Sequence, residues 1–199
     1  MSDQRSRAAE ERRQTKETEV RVSLDLDGGG RASVETGVGF LDHMLDLLGK
    51  HALFALEVEA KGDVGVDAHH TVEDVGICLG RALASALGDK VGIRRFGFAS
   101  VPMDEALAEV SLDLSGRPFV VCDVRFPTEK TGDFDVQLTE EFVRAMAVNA
   151  GITLHVRVPY GRNTHHMVEG IFKALARALR EAVAIDPRVR GVPSTKGTL

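Results

Sequence analysis

The sequence predicts an α+β fold in which one two-layer unit occurs twice, because three short segments recur in the same order. Positions 22–26, 40–45 and 69–74 correspond to positions 110–114, 138–143 and 165–170. The offsets of 88, 98 and 96 residues differ slightly, and loops between duplicated units tolerate such insertions. Both halves mix segments of alternating polarity with segments of helical periodicity, which is typical of α+β units.

The period of the apolar residues predicts each element. In the first half it indicates strands at 18–26, 32–36 and 54–60 and helices at 39–49 and 70–88. In the second half it indicates strands at 107–114, 118–125 and 151–158 and helices at 138–148 and 165–184. We expect two four-stranded sheets packed on a central group of four helices, with pseudo-twofold symmetry, because each sheet must bury one face.

Three consecutive glycines, at positions 28–30, separate the first two predicted strands. Glycine-rich turns between alternating segments are typical of β-hairpins. We therefore expect strands 18–26 and 32–36 to pair with each other.

The chain divides into four regions. Residues 1–12 mix both charges without an apolar stretch, so we expect a flexible tail and neither a signal peptide nor a membrane anchor. Residues 13–96 form the first repeat and residues 97–186 the second. Residues 187–199 form a C-terminal segment that we expect to close over a bound substrate.

Composition narrows the class of partner. The 199 residues carry a net charge of −5, include no Trp and have one Tyr, so neither nucleic acid nor an anionic membrane is an expected partner. Small molecules or further copies of the chain are expected instead. Cys78 and Cys122 stand among apolar neighbours, which does not suggest a disulfide, and the cytoplasm is the expected compartment.

Histidines concentrate at corresponding places in the two halves. Five of the seven are His43, His69, His70, His165 and His166. Each His-His pair is followed by a glutamate three and four residues later, on the same face of a predicted helix; these glutamates are Glu73 and Glu169. Adjacent helical residues point about 100° apart, so two neighbouring imidazoles suit two different ions.

These residues predict two metal sites, each with ligands from both repeats. The alignment of the repeats places Glu141 opposite His43, and both can bind a metal. Imidazole and carboxylate donors without thiolate suit Mn, Fe, Co, Ni or Zn, and the sequence alone does not choose among them. The alternative is that these side chains are capping and surface groups at helix starts.

Four motifs occur in an order that resembles the imidazoleglycerol-phosphate dehydratase family. They are GFLDHML at 39–45, DAHHTVED at 67–74, GRNTHHMVE at 161–169 and PSTKG at 193–197. The resemblance extends from about Arg12 to the C-terminus. It implies a fold of the ribosomal protein S5 domain 2-like type, a role in histidine biosynthesis, two Mn²⁺ per active site, and 24 subunits with active sites between protomers.

The resemblance also implies a full ligand set. It comprises His43, His69, His70, Glu73, Glu141, His165, His166 and Glu169. Some family members have histidine where this chain has Glu141. That departure keeps a metal-binding side chain and bears on affinity and metal preference.

The implied reaction converts D-erythro-1-(imidazol-4-yl)glycerol 3-phosphate to 3-(imidazol-4-yl)-2-oxopropyl phosphate and water. The proton that must leave is not acidic, so the electrons that expel hydroxide have to come from the imidazole ring. Two metals on the ring nitrogens would stabilise a metal-bound imidazolate, which leads to a diazafulvene-like intermediate. By the resemblance, Glu17 is the expected general acid/base and Glu169 a second catalytic residue.

The substrate-binding residues are also assigned by resemblance. They are Glu17, His43, His51, His69, His70, Arg95, Arg117, Ser194, Thr195 and Lys196. Arg95, Arg117, Ser194 and Lys196 would bind the phosphate, since a guanidinium fork suits paired oxygens and an ammonium acts as a point charge. Asp104 and Glu105 are expected to orient ligands from behind.

Two other functions are compatible with the same ligands. A dinuclear metallohydrolase would use the metals to activate water and would release inorganic phosphate. A metal-binding shell protein would use them to join subunits and would have no turnover.

Overall fold

The computed structural model describes residues 6–199 and contains one order of six elements twice, with two further short strands in the second repeat. The first repeat consists of β1 (Ala8–Gln14), β2 (Thr18–Asp25), β3 (Ala32–Glu35), α1 (Gly39–Ala52), β4 (Ala55–Gly62) and α2 (His69–Leu87). The second consists of β5 (Phe96–Met103), β6 (Ala106–Asp113), β7 (Phe119–Asp123), β8 (Lys130–Thr131), β9 (Phe134–Asp135), α3 (Gln137–Ala150), β10 (Thr153–Tyr160) and α4 (Thr164–Val183).

The two main sheets have the same topology. Their strand orders are β1-β2-β4-β3 and β5-β6-β10-β7, and in each sheet one edge strand runs parallel to its neighbour while the other pairings are antiparallel. The short pair β8-β9 is an insertion in the second repeat. The predicted α+β duplication with two four-stranded sheets and four helices is confirmed.

The predicted pairing of strands 18–26 and 32–36 is wrong. Both β2 and β3 pair with β4, which lies between them. The glycine turn does reverse the chain, and Gly29 and Gly30 adopt positive φ angles of 77° and 85°. The turn does not form a hairpin, because β4, which comes later in the sequence, lies between β2 and β3 and forms hydrogen bonds to both.

The expected flexible tail at residues 1–12 is also wrong where the structure describes it. Residues 8–14 form β1, which pairs with β2 from Ala8 opposite Asp25 to Gln14 opposite Glu19. Its side chains alternate only between exposed and half-buried. An edge strand with little buried surface has no apolar alternation in its sequence, so the pattern did not reveal it. The first part of the predicted tail, residues 1–5, lies outside the described residues.

The helices of the two repeats pack on each other between the sheets. Helix α1 contacts α4 and helix α2 contacts α3, while α2 covers β1 and β2 and α4 covers β5 and β6. The largest fully buried side chains include Phe54, Phe142 and Phe172. This confirms the expected common core. Within residues 6–199, no helix has the length and apolar character needed to cross a membrane.

Helices α2 and α3 approach closely at two glycines of α2. A Cβ added at Gly80 would lie 2.4 Å from the carbonyl oxygen of Met146, and one at Gly76 would lie 2.9 Å from that of Phe142. Both contacts are with backbone, which cannot rotate away. The spacing of these two helices therefore depends on the absence of side chains at these positions.

We expect Gly80→Ala to lower the free energy of unfolding by about 1–3 kcal/mol, as overpacking does. In a solvent-exposed helix the same substitution stabilises by up to about 1 kcal/mol, so the sign of the stability change distinguishes a close helix contact from an open one. Urea unfolding measures the change. Gly39→Ala, where nothing lies within 4 Å of the added Cβ, is the control and should not destabilise. A Gly80→Ala protein as stable as the wild type would contradict the packing described.

Candidate metal centre

Helices from opposite repeats bring two histidines and one glutamate together. His43 lies on α1, and His165 and Glu169 lie one turn apart on α4. The Nε2 atoms of His43 and His165 lie 3.7 Å and 3.2 Å from Oε2 of Glu169. Within residues 6–199, this is the one group of three or more His, Cys, Asp or Glu whose candidate ligand atoms all lie within 4.8 Å of each other.

The two oxygens of Glu169 face different partners. Oε2 faces the two imidazoles, while Oε1 lies 2.5 Å from Nζ of Lys173, four residues further along α4. Burial raises the pKa of Glu169, but hydrogen bonds from Lys173 and His165 more than offset this and hold it below its ordinary value. Glu169 is thus an anion at neutral pH with one oxygen directed at the histidines.

Lys173 is a residue of this site that the sequence reasoning did not identify. The signal was present in the spacing, because a glutamate and a lysine four residues apart lie on one face of a helix. Such pairs are usually exposed and of little consequence. Only the burial of both side chains, 9% and 19% exposed, distinguishes this pair.

Aromatic side chains support the cluster and border a cleft. The ring of Phe40 lies 5.3 Å from that of His165 and 5.0 Å from that of Phe134, between centroids. The cleft has a volume of about 780 Å³ and is lined by His43, His69 and His165 together with the β8-β9 segment. A small molecule of modest size fits this volume.

His166 is held by a carboxylate of the second repeat. Its Nδ1 lies 2.7 Å from Oε2 of Glu105, and Oε1 of Glu105 accepts hydrogen bonds from the N–H groups of Arg162 and Asn163. The hydrogen bond to Glu105 raises the pKa of His166, and the pKa of Glu105 is lowered to about 2. Glu105 thus takes the expected orienting position, while Asp104 is 3.7 Å from Nε2 of the same ring.

His70 has a corresponding arrangement in the first repeat. Its Nδ1 lies 3.1 Å from Oδ2 of Asp63, and its Nε2 lies 3.8 Å from Oε2 of Glu17. The pKa of His70 is raised, mainly by the hydrogen bond with Asp63. Both His70 and His166 therefore use Nδ1 within the chain, as metal-binding histidines do when a carboxylate orients them.

The remaining predicted ligands stay predictions. His69, His70, Glu73 and Glu141 come from the other helix pair, α2 and α3, and residues 6–199 do not gather them with the cluster around Glu169. His51 lies near the end of α1, where burial and the charge of Lys173 lower its pKa.

The predicted phosphate-binding residues partly come together elsewhere. Arg95 forms hydrogen bonds to both oxygens of Asp113 and donates to the carbonyl oxygen of Pro193 at 2.8 Å. Arg117 lies 4.0 Å from the same aspartate. Pro193 begins the stretch that contains Ser194, Thr195 and Lys196, and Ser194 Oγ accepts the N–H of Lys196. No hydrogen bond or ion pair within residues 6–199 connects this group to the cluster around Glu169.

The donor set around Glu169 fits a divalent metal. Two ligand atoms that each lie about 2.0–2.2 Å from one ion can be no more than about 4.4 Å apart. Oε2 of Glu169 satisfies this limit with both imidazoles. Imidazole nitrogen with carboxylate oxygen suits manganese and the later first-row metals. His165 lies in the first turn of α4, where the helix dipole opposes a cation, so the carboxylate is needed to offset that cost.

Fold and site together define the class of protein: an internally duplicated α+β protein with a histidine and carboxylate cluster built between its repeats, beside a cleft. A sequence model of the imidazoleglycerol-phosphate dehydratase family matches residues 36–179. The chain belongs to this family.

Individual relatives agree with the family match. The chain is 60% identical over 187 residues to an imidazoleglycerol-phosphate dehydratase of Clostridium botulinum strain Langeland, covering 94% of this chain and 95% of that protein. It is 62% identical to that of Symbiobacterium thermophilum, covering 94% and 90%. The crystal structure of the Staphylococcus aureus N315 dehydratase superposes with a TM-score of 0.82 at 40% identity, covering 90% and 99%.

Removing the charge of Glu105 should change the titration of His166. In the metal-free protein we expect Glu105→Gln to lower the pKa of His166 towards 6.5, because the hydrogen bond to the carboxylate favours the protonated ring. NMR titration of the histidines measures this, with Glu109→Gln as the control.

The same pair has a predicted effect on stability. Because the pKa of Glu105 is lowered from 4.5 to about 2, its stabilising contribution is present above pH 4.5 and lost as the pH falls towards 2. The contribution of His166, whose pKa is raised, is lost as the pH rises through that pKa. An unchanged His166 titration in Glu105→Gln would contradict the geometry described.

Proposed function

We propose that this chain converts D-erythro-1-(imidazol-4-yl)glycerol 3-phosphate to 3-(imidazol-4-yl)-2-oxopropyl phosphate and water, a step of L-histidine biosynthesis. The observation that carries the proposal is the meeting of His43, His165 and Glu169 across the repeats, inside the segment that matches the dehydratase family. A site of this kind is needed because the proton to be removed is not acidic in the substrate.

Two manganese ions are the proposed cofactor. His43, His165 and Glu169 would hold one side of the dinuclear site, and His69, His70, Glu73, Glu141 and His166 are the further ligands expected from the sequence. When bound, the ions would supply Lewis acidity that stabilises negative charge on the imidazole ring of the substrate, so that the ring electrons could expel hydroxide from the adjacent carbon. The oriented rings of His70 and His166 and the anionic Glu169 support this assignment.

Glu17 is the proposed general acid/base. It lies in the turn between β1 and β2, its side chain is 57% exposed, and its carboxylate is 3.8 Å from the ring of His70. A carboxylate beside a group that binds the substrate can take a proton from the carbon chain once the ring has expelled hydroxide to give the diazafulvene-like intermediate. Its accessibility to solvent leaves room for the substrate to approach.

The phosphate of the substrate is proposed to bind Arg95, Arg117, Ser194, Thr195 and Lys196. The contact between Arg95 and the carbonyl of Pro193 already ties the C-terminal segment to this group. Asp113 neutralises Arg95 in this arrangement, so Arg117, whose side chain is 70% exposed, has the more accessible guanidinium. The C-terminal segment would complete the pocket when the phosphate enters.

A 24-subunit assembly with active sites between protomers is proposed from the family resemblance. Two observations support it. Within residues 6–199, no hydrogen bond or ion pair connects the residues proposed to bind phosphate with the cluster around Glu169. In addition, Phe96, Phe98 and Phe119 project from the outer face of the second sheet with 57–63% exposure. Light scattering tests it, since 24 chains of 21.5 kDa give a large particle and a monomer would contradict it. The proposed compartment is the cytoplasm, where both cysteines stay unpaired.

The decisive test is an assay of metal-stripped protein with imidazole glycerol phosphate, with and without Mn²⁺. The keto product is followed by its absorbance in alkali, and inorganic phosphate is measured in parallel. We expect keto product only with Mn²⁺ and no phosphate. Phosphate release would indicate a hydrolase instead, and metal binding without any product would indicate a structural metal protein.

Glu169→Gln should weaken Mn²⁺ binding at least about tenfold, because it removes the anion that faces both imidazoles. Isothermal titration of Mn²⁺ into metal-free protein measures this. Glu181→Gln is the matched control, since Glu181 lies on the same helix and accepts a hydrogen bond from the N–H of Phe98, which glutamine also accepts. Equal affinities for the two variants would remove Glu169 from the metal site.

Glu17→Gln should lower kcat by about 10²–10⁴-fold, the usual contribution of a general acid/base, while Mn²⁺ affinity changes little. Glu19→Gln, an exposed carboxylate two residues further on, is the control and should keep full turnover. Steady-state kinetics decides the matter: full activity of the Glu17→Gln protein would exclude Glu17 from proton transfer.

A further inference from the structure

A buried carboxylate lies directly behind the turn that carries Glu17. Asp74 is on α2, and its side chain is 7% exposed. One oxygen lies 2.6 Å from Nε of Arg13 at the end of β1, and the other accepts a hydrogen bond from the hydroxyl of Thr18 at the start of β2. Asp74 therefore joins the helix to both strands that flank the turn.

The hydrogen bonds continue from Asp74 into the turn in one direction. The carboxylate can only accept, so the Thr18 hydroxyl donates to it and must accept from the Thr15 hydroxyl, 3.0 Å away. The oxygen of Thr15 in turn accepts the N–H groups of Glu17 at 3.1 Å and Thr18 at 2.9 Å. The backbone of Glu17 is thus held by a chain of hydrogen bonds that ends on Asp74, and the Glu17 carboxylate, which lies 3.8 Å from Nε2 of His70, takes no part in that chain.

The second repeat lacks this chain. The residues that correspond to Arg13, Thr18 and Asp74 are Val101, Ala106 and Gly170, which carry no polar side chain, whereas Glu17 corresponds to a second glutamate, Glu105. Both carboxylate oxygens of Glu105 have hydrogen-bond partners: one accepts from N–H groups at the start of α4 and the other contacts His166. One backbone position therefore carries a glutamate in both repeats. Within residues 6–199 its carboxylate forms no hydrogen bond only where Asp74 holds the turn, and there it lies 3.8 Å from the ring of His70.

We infer that Asp74 is a positioning residue for Glu17: through Thr18 and Thr15 it fixes the turn so that the Glu17 carboxylate is directed at the substrate and not into the protein. This inference rests on the proposed role of Glu17. Arg13 balances the charge of Asp74, since an unpaired buried carboxylate would be costly. The arrangement matters because a displacement of about 1 Å in a reacting group can cost about 100-fold in rate.

Thr18→Val and Thr18→Ser test the chain of hydrogen bonds without altering a charge. Valine has the shape of threonine but removes the hydroxyl, and serine keeps it. We expect Thr18→Val to lower kcat about 10- to 100-fold with KM changed less than about threefold, and Thr18→Ser to restore most of kcat. Asp74→Asn should resemble Thr18→Val. If Thr18→Val binds Mn²⁺ as tightly as the wild type, its loss of kcat does not come from a disturbance of Glu73, the expected ligand next to Asp74.

A double-mutant cycle distinguishes positioning of Glu17 from general loss of structure. In a Glu17→Gln background, Thr18→Val should lower kcat less than about threefold further, because the group that it positions is already gone. Full additivity of the two effects would overturn the inference while leaving the dehydratase assignment intact. A wild-type protein without dehydratase activity would overturn the proposed function instead.

Hydrogen exchange provides a measurement that does not depend on activity. In Thr18→Val and in Asp74→Asn the N–H groups of Glu17 and Thr18 should exchange at least about tenfold faster, since their acceptor, the Thr15 hydroxyl, is no longer fixed. Ser85→Ala is the matched control: it removes another hydrogen bond between α2 and β1, from Ser85 to Glu11, and should leave the turn and turnover unchanged. Unchanged exchange of the N–H groups of Glu17 and Thr18 in both variants would refute the inference.

Discussion

The packing of each helix against a helix of the other repeat is the constraint on which the rest of the structure depends. Neither sheet can bury its inner face alone, so α1 lies on α4 and α2 lies on α3. This brings His43 from one repeat next to His165 and Glu169 from the other, although 122 positions separate His43 and His165 in the sequence. The packing of α1 on α4 in the hydrophobic core therefore positions the candidate metal ligands, and close packing of these helices keeps their geometry rigid.

Duplication gives the fold pairs of equivalent positions, and the side chains at these pairs have diverged towards different tasks. His43 on α1 corresponds to Glu141 on α3, and Asp74 on α2 corresponds to Gly170 on α4. At Gly170 an added Cβ would lie 3.2 Å from that of Ala108, so any side chain at this position would be tightly packed. A symmetrical scaffold thus supports an asymmetrical site.

The carboxylates of Glu169, Glu105 and Glu17 differ in how far partners within the chain already occupy their oxygens. Glu169 gives one oxygen to Lys173 and presents the other to the histidines, while Glu105 is fully used by backbone N–H groups and His166. Glu17 lies in a turn whose own hydrogen bonds are satisfied by Thr15, so its carboxylate needs no internal partner. A carboxylate of low pKa that is occupied can orient a neighbour, but only a free one can accept a proton from a substrate.

The sequence by itself determined the duplication, the four helices and most strands, because helical and alternating periods are local properties of the chain. It also placed histidine and glutamate donors on one helix face in each repeat, since each His-His pair is followed by a glutamate about one helical turn later. It did not determine strand neighbours: the glycine turn at 28–30 predicts a reversal of the chain, but β4 inserts between the two strands. The strand β1, the burial of the contact between Lys173 and Glu169, and the chain from Asp74 to Glu17 were decided by tertiary structure alone, because they depend on elements far apart in the sequence.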